Sequence, residues 1–113
     1  MADIKPYWQN YIDGGWVDGG AGRLDVMNPG TGAKLAEQAI ADAADVDRAV
    51  QAAKRVHMSG ALSDLRPVER GRMVQSIGRY LLENIDELAR VLPLEQGKPL
   101  WESRIEVEGA ARY

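Results

Sequence analysis

The sequence predicts an α/β fold in which short antiparallel strands come first and about four helices follow. Two observations carry this. Before Ile40, aromatic and β-branched residues sit in short runs separated by glycine-rich turns. From Asp42 onward, apolar residues recur at helical spacing, and proline and glycine mark where the helices start and stop.

Tyr7 to Val17 reads as a short hairpin, because aromatic and β-branched residues flank Asp13-Gly14-Gly15, a turn sequence. Asp18-Gly19-Gly20-Ala21-Gly22 reads as a loop with no packing content. A second strand is expected over Leu24 to Met27, stopped by Asn28-Pro29, where proline fixes φ and supplies no donor. Gly30-Thr31-Gly32 continues the turn. Lys34 to Ile40 is expected to be a third strand, although its alanines suit a strand poorly.

In the first helix Asp42 can cap, and Asp45 puts negative charge in the first turn. Val46, Ala49, Val50 and Ala53 follow at i, i+3, i+4 and i+7, one apolar stripe that Ser59-Gly60 ends. Pro67 suits the first turn of a second helix, which is expected to carry Val74, Ile77 and Leu81 inward. Asn84 reads as a break and a new cap, followed by Ile85, Leu88, Ala89 and Leu92 on another stripe. Pro93 removes a helix donor and Gly97 supplies a left-handed exit. A last helix starts after Pro99, with Trp101 and Ile105 on one side and Arg104, Glu108 and Arg112 paired at i+4 on the wet side. The chain stops at Tyr113 within that helix. A helix end leaves carbonyls to be satisfied, so residues beyond Tyr113 are expected in the native gene product.

Composition narrows the function. A chain of 113 residues holds one modest domain, and its apolar 45% is rich in alanine with no phenylalanine, so its own core is thin. A net charge of −3 argues against a nucleic-acid partner. No apolar run has the length of a membrane span, and Met1 to Pro6 lacks the cationic and apolar parts of a signal peptide. Zero cysteine excludes a disulfide framework and a thiolate metal site within these residues. A cytoplasmic location is the expectation.

Most charged candidates have plain readings. Lys98 follows a glycine, but Pro99 follows it, so a phosphate loop is excluded in favour of a surface lysine after a helix cap. Arg66, Arg70, Arg72 and Arg79 alternate with Glu69 and Glu83 as on a solvated helix face. His57 has no ligand companions. Glu102, Glu106 and Glu108 read as solubilising charge, and the glycine clusters lack the strand, GxGxxG and helix order of a dinucleotide fingerprint.

Several segments, taken in order, carry a resemblance. They are Tyr11-Ile12-Asp13-Gly14-Gly15-Trp16-Val17, Asp25-Val26-Met27-Asn28-Pro29-Gly30-Thr31-Gly32, Ala44-Asp45-Val46-Asp47-Arg48-Ala49-Val50 and Ala52-Ala53-Lys54-Arg55. Glu69-Arg70-Gly71-Arg72, Glu95-Gln96-Gly97-Lys98-Pro99-Leu100 and Glu106-Val107-Glu108-Gly109-Ala110-Ala111 complete them. From Tyr11 onward the chain resembles the N-terminal portion of the aldehyde dehydrogenase superfamily. Pro93 departs from the family, which keeps a helix former there, and is read as a kink.

The resemblance implies that residues 1–113 are the N-terminal part of a Rossmann-like coenzyme-binding domain, without the catalytic and oligomerisation parts. It implies a dehydrogenase that oxidises an aldehyde to a carboxylic acid with NAD or NADP through a cysteine thiohemiacetal and thioester. A glutamate activates water, and an asparagine side chain with a backbone N–H holds the oxyanion. All these groups lie beyond this chain, so no catalytic or cofactor-binding residue is named in it, and the chain alone is expected to be inactive. The resemblance further implies K+ or Na+ held by the carbonyls of Val26 and Met27 with Glu95, a substrate tunnel lined at Ala110, and a homodimer or homotetramer. Against the cation reading, Glu95 simply ends a helix. A non-catalytic relative of these enzymes and a small helical binding module remain the alternatives, and the residues beyond Tyr113 discriminate among them.

Overall fold

The computed structural model describes residues 4–113, so the leader-peptide expectation for Met1 to Asp3 lies outside the described residues. Five strands precede four helices: β1 Tyr7–Trp8, β2 Asn10–Ile12, β3 Gly15–Val17, β4 Arg23–Met27, β5 Lys34–Ala39, α1 Ala43–Met58, α2 Pro67–Glu83, α3 Ile85–Gln96 and α4 Leu100–Arg112. Packing divides the chain into two units. One comprises residues 5–26 and 36–66, and the other comprises 27–35 and 67–113.

In the first unit, β2 and β3 form the expected antiparallel hairpin, pairing Asn10 with Val17, Tyr11 with Trp16 and Ile12 with Gly15. Asp13 and Gly14 both take positive φ, 54° and 80°, the twist that a two-residue turn needs to match its strands. The hairpin is shorter than expected. Tyr7 and Trp8 leave it and run parallel to β5, opposite Glu37 and Gln38, so the strands are not all antiparallel. Strand β5 lies between β1 and β4. Its alanines have a use here: Ala36 and Ala39 are buried, and small side chains let neighbouring backbone approach.

Asp42 caps α1 with extended backbone, and Asp45 completes a reciprocal capping box. The apolar stripe of this helix is left uncovered. Val46 and Val50 are exposed, while Asp45 and Ala52, on another side of the helix, are buried. The wall this helix meets is polar loop backbone, which selects a carboxylate over a valine.

The second unit is a three-helix packing of α4 against α2 and α3. Ile85, Leu88, Ala89 and Leu92 of α3 are buried or half-buried, as their spacing predicts. Val74 and Ile77 of α2, expected inward, are 59% and 61% exposed, and only Leu81 of that stripe is partly covered. Close approach, not bulk, makes the seam. A Cβ on Gly78 would run into the backbone carbonyl of Ala111. Ser103 is 0% exposed, with its hydroxyl donating to the Pro99 carbonyl at 3.2 Å. Trp101 and Ile105 face away from this seam and are exposed.

Asn84 does not cap α3. Its φ of −110° and ψ of 17° are not those of a cap, and its Nδ2 instead donates back to the Tyr80 carbonyl at 2.8 Å, closing α2. Helix α3 continues through Pro93 and ends at Gly97, where φ is 75° and the N–H donates to the Pro93 carbonyl at 2.9 Å. No helix among the described residues is long and apolar enough to cross a membrane.

Candidate functional site

The positions singled out for a cation fall at two chain turns. Val26 and Met27 end β4, and Glu95 sits one residue before the end of α3. Val26 belongs to the first unit, whereas Met27 and Glu95 belong to the second. Within the second unit, the turn after β4 is built by Asn28. Its N–H donates to the Ala33 carbonyl at 2.8 Å, its own carbonyl accepts from Gly32 at 2.8 Å, and its Oδ1 accepts from Gly30 N–H at 2.9 Å. That turn touches the exit of α3: a Cβ on Gly97 would lie 3.1 Å from Cγ of Pro29. Met27 and Glu95 each stand two residues from this contact. Ala110 lies in the last turn of α4, exposed, and follows Gly109, around which a Cβ would meet nothing.

Two acidic residues of α4, Glu106 and Glu108, are engaged in pairing. Lys98 Nζ donates to Glu106, and Arg104 Nη1 donates to Asp86 at 2.5 Å while its Nε lies 3.9 Å from Glu108. The hydrogen bond from Arg104 holds the Asp86 carboxyl below the usual carboxylate range. Among the described residues, no three His, Cys, Asp or Glu side chains converge to hold a metal.

Sequence reasoning missed two polar networks, both in the first unit. The loop read as empty is a packed junction. Ala21 N–H donates to the Ile40 carbonyl at 3.1 Å, Ile40 N–H donates to the Gly22 carbonyl at 2.9 Å, and Gly19 touches Ile40 so closely that a Cβ would overlap its carbonyl. Asp45, 3% exposed, ties this loop to α1. Its Oδ2 accepts from Gly20 N–H at 2.8 Å and Asp42 N–H at 3.0 Å, and its Oδ1 accepts from Arg48. Backbone donation from Gly20, then from Asp42, lowers its pKa below the ordinary carboxylate value. The Asp-x-x-Asp spacing was the available signal for half of this arrangement; the Gly20 contact has none in the sequence.

In the second network, Asp18 accepts from the Tyr7 hydroxyl at 2.7 Å and from Gln9 Nε2 at 3.1 Å. Those bonds lower the Asp18 pKa and raise that of Tyr7. The Arg23 guanidinium lies 3.9 Å from the Tyr7 ring centroid and donates to Glu37 at 3.1 Å. A cleft of about 360 Å³ between the hairpin and α1 is lined by charge that is also used up. Arg55 donates to Asp13 at 2.6 Å, Arg48 to Asp45, and Gln51 to Asp47 at 3.3 Å. Each of these side chains is engaged in a hydrogen bond within the first unit.

Comparisons with known proteins identify the family. The sequence model of the aldehyde dehydrogenase family matches residues 16–113. The chain is 41% identical over 103 residues to malonate-semialdehyde dehydrogenase 1 of Oceanobacillus iheyensis, covering 90% of this chain and 21% of that protein. It is 41% identical over 101 residues to N-succinylglutamate 5-semialdehyde dehydrogenase of Burkholderia thailandensis, covering 89% and 20%. Among solved structures, an NAD-dependent aldehyde dehydrogenase from Sinorhizobium meliloti superposes with a TM-score of 0.89 at 32% identity, over 96% of this chain and 22% of that one. Betaine aldehyde dehydrogenase from Staphylococcus aureus in complex with NAD+ gives 0.85 at 32%, over 88% and 20%. The chain thus spans about a fifth of the length of the relatives it matches. The family model covers most of the chain and the fold superposes on these enzymes, and the chain belongs to the aldehyde dehydrogenase family.

Proposed function

We propose that this chain is the N-terminal segment of a longer NAD(P)-dependent aldehyde dehydrogenase, supplying outer strands and helices of its coenzyme-binding domain. The observation that carries the reading is a family match over residues 16–113 in a chain with no cysteine. A thiolate nucleophile must therefore come from residues outside this segment. NAD or NADP, when bound, takes up the hydride released as the aldehyde becomes a carboxylic acid. Among the described residues no strand runs through a GxGxxG turn into a helix, the usual dinucleotide fingerprint. Their part is to brace the fold through the Asp45 junction and the seam of α4 with α2 and α3.

The complete polypeptide is expected to reduce NAD or NADP in the presence of a simple aldehyde and to lose this activity on alkylation with iodoacetamide. The 113-residue chain alone is expected to give no turnover above background. A complete polypeptide with no reactive cysteine, or one inert to aldehydes, overturns the assignment.

The same reading assigns a monovalent cation, K+ or Na+, to the carbonyls of Val26 and Met27 and the Glu95 carboxylate, and a place on the substrate tunnel to Ala110. Hard oxygen donors suit a hard cation, and the seating of Pro29 against Gly97 supports the Met27 and Glu95 pairing. A crystal of the complete enzyme with potassium replaced by thallium tests it; no anomalous peak beside Glu95 ends the cation assignment. The reading also makes the complete enzyme a cytoplasmic homodimer or homotetramer, which light scattering of the purified protein and cell fractionation test.

A further inference from the structure

The first unit holds an arrangement that neither the capping junction nor the proposed reaction uses. Three exposed aromatic residues, Trp8, Tyr11 and Trp16, belong to its two small sheets. Tyr11 and Trp16 are directly opposite each other on the hairpin and meet edge to face, with centroids 5.0 Å apart and planes at 62°. Tyr11 thereby braces one side of the Trp16 indole. The Lys5 ammonium stands 5.6 Å from the Trp8 ring centroid and 5.5 Å from that of Trp16. One cation is shared between two indoles, which carry the strongest negative quadrupole among side chains.

Lys5 is the mobile partner in this arrangement. Its side chain is exposed and has four rotatable bonds, whereas both indoles are anchored in paired strands. An ammonium is also the strongly hydrated kind of cation, so it gains less from an aromatic face than a cation whose charge is sheathed in methyl groups. A tertiary or quaternary ammonium reaches the indole faces with little water to shed, and its methyl groups add apolar contact. Such a cation competes with Lys5 for the same walls.

We propose that Trp8 and Trp16 form a two-walled cation site, braced by Tyr11, that takes a quaternary ammonium group, and that Lys5 is its intramolecular competitor. The Lys5 Nζ stands in for the ligand's charged nitrogen. The site is distinct from the cation position beside Glu95, since its walls are aromatic faces.

The test uses tetramethylammonium chloride and the complete polypeptide labelled with 5-fluorotryptophan, the two resonances being assigned with the W8F and W16F variants. The expected result is a saturable shift of both resonances that an equal concentration of sodium chloride does not produce. Because an exposed cation–π contact is worth a few-fold in affinity, K5A is expected to bind the probe about two- to fivefold more tightly, and K5R to stay near wild type. W16A is expected to weaken binding by at least as much. No saturable shift in K5A, or the same shift with sodium chloride, overturns the proposal and leaves Lys5 as an internal tie alone. The K5A and K5R variants leave both aromatic walls intact, so a folding defect in W16A does not obscure the outcome. Dehydrogenase activity is not a readout, so failure here is separate from failure of the enzymatic assignment.

Discussion

Asp45 shows how one carboxylate ties a loop residue distant in sequence to the start of its own helix. It accepts from Gly20, Asp42 and Arg48, and its pKa lies below the ordinary value because ionised oxygens accept these bonds more strongly than a protonated acid. A depressed carboxyl contributes stability that is fully present above its unfolded-state pKa and is lost as pH falls through the folded one. Asp45→Asn is isosteric, but it loses the charge and directs an NH2 group at donors. In the complete polypeptide it is expected to raise hydrogen exchange at the Gly20 and Asp42 amides at neutral pH. It should also flatten the loss of stability on acidification below the usual carboxylate range. Unchanged protection of both amides would show that the loop is held without the carboxylate. Asp18 belongs to the same pH range, with Tyr7 and Gln9 as its donors.

At the scale of elements, the seam of α2, α3 and α4 is made by what is missing from side chains. Gly78 brings α2 against the Ala111 carbonyl, Ala89 and Ser103 are buried, and of the α2 stripe Val74 and Ile77 are left outward while Leu81 is partly covered. Two glycines of α2 separate the competing effects. Alanine at Gly71 meets nothing within 4 Å, so it should stabilise the helix by about 0.5–1 kcal/mol through backbone entropy. Alanine at Gly78 gains the same term but meets the Ala111 carbonyl, and forcing atoms into a packed seam costs about 1–3 kcal/mol. The expected order of stability by chemical denaturation of the complete polypeptide is therefore Gly71→Ala above wild type, and wild type above Gly78→Ala. If the two variants changed stability alike, the close approach at Gly78 would not be what holds α2 to α4.

At the scale of the whole chain, the buried hydrophobic residues among those described are Ala36, Ala39, Ala52, Ala89 and Val107. Methyl groups contribute little, at about 25 cal/mol for each Å² removed from water, while ordering each residue costs about 1–2 kcal/mol of backbone entropy. Meanwhile Val46, Val50, Val74, Ile77, Trp101 and Ile105 stay exposed. Residues 1–113 made alone are accordingly expected to be molten, aggregated or largely unfolded, since net domain stability is only ~5–15 kcal/mol. A monodisperse sample that melts cooperatively and shows dispersed amide resonances would refute this. It would also favour an independent binding module over a segment of an enzyme.

What the sequence by itself determined were the features settled within a few residues. The Asp13-Gly14 turn, the Asp42 cap, the Pro67 start and the Gly97 exit each depend on local backbone geometry that one or two residue types satisfy. Family membership was legible for the same reason, because its marks are turn and cap motifs in a set order. Only the tertiary structure decided which faces pack. Spacing reveals that Val46, Val50, Val74 and Ile77 form stripes, but not whether anything lies against them, and burial requires a partner surface. It also decided that Tyr7 and Trp8 pair with β5 and not with the hairpin, that Asn84 closes α2, and that Gly20 meets Asp45 across 25 positions. Each of these joins groups whose separation along the chain leaves no periodic trace, and is settled by which donors and acceptors the folded backbone brings within reach.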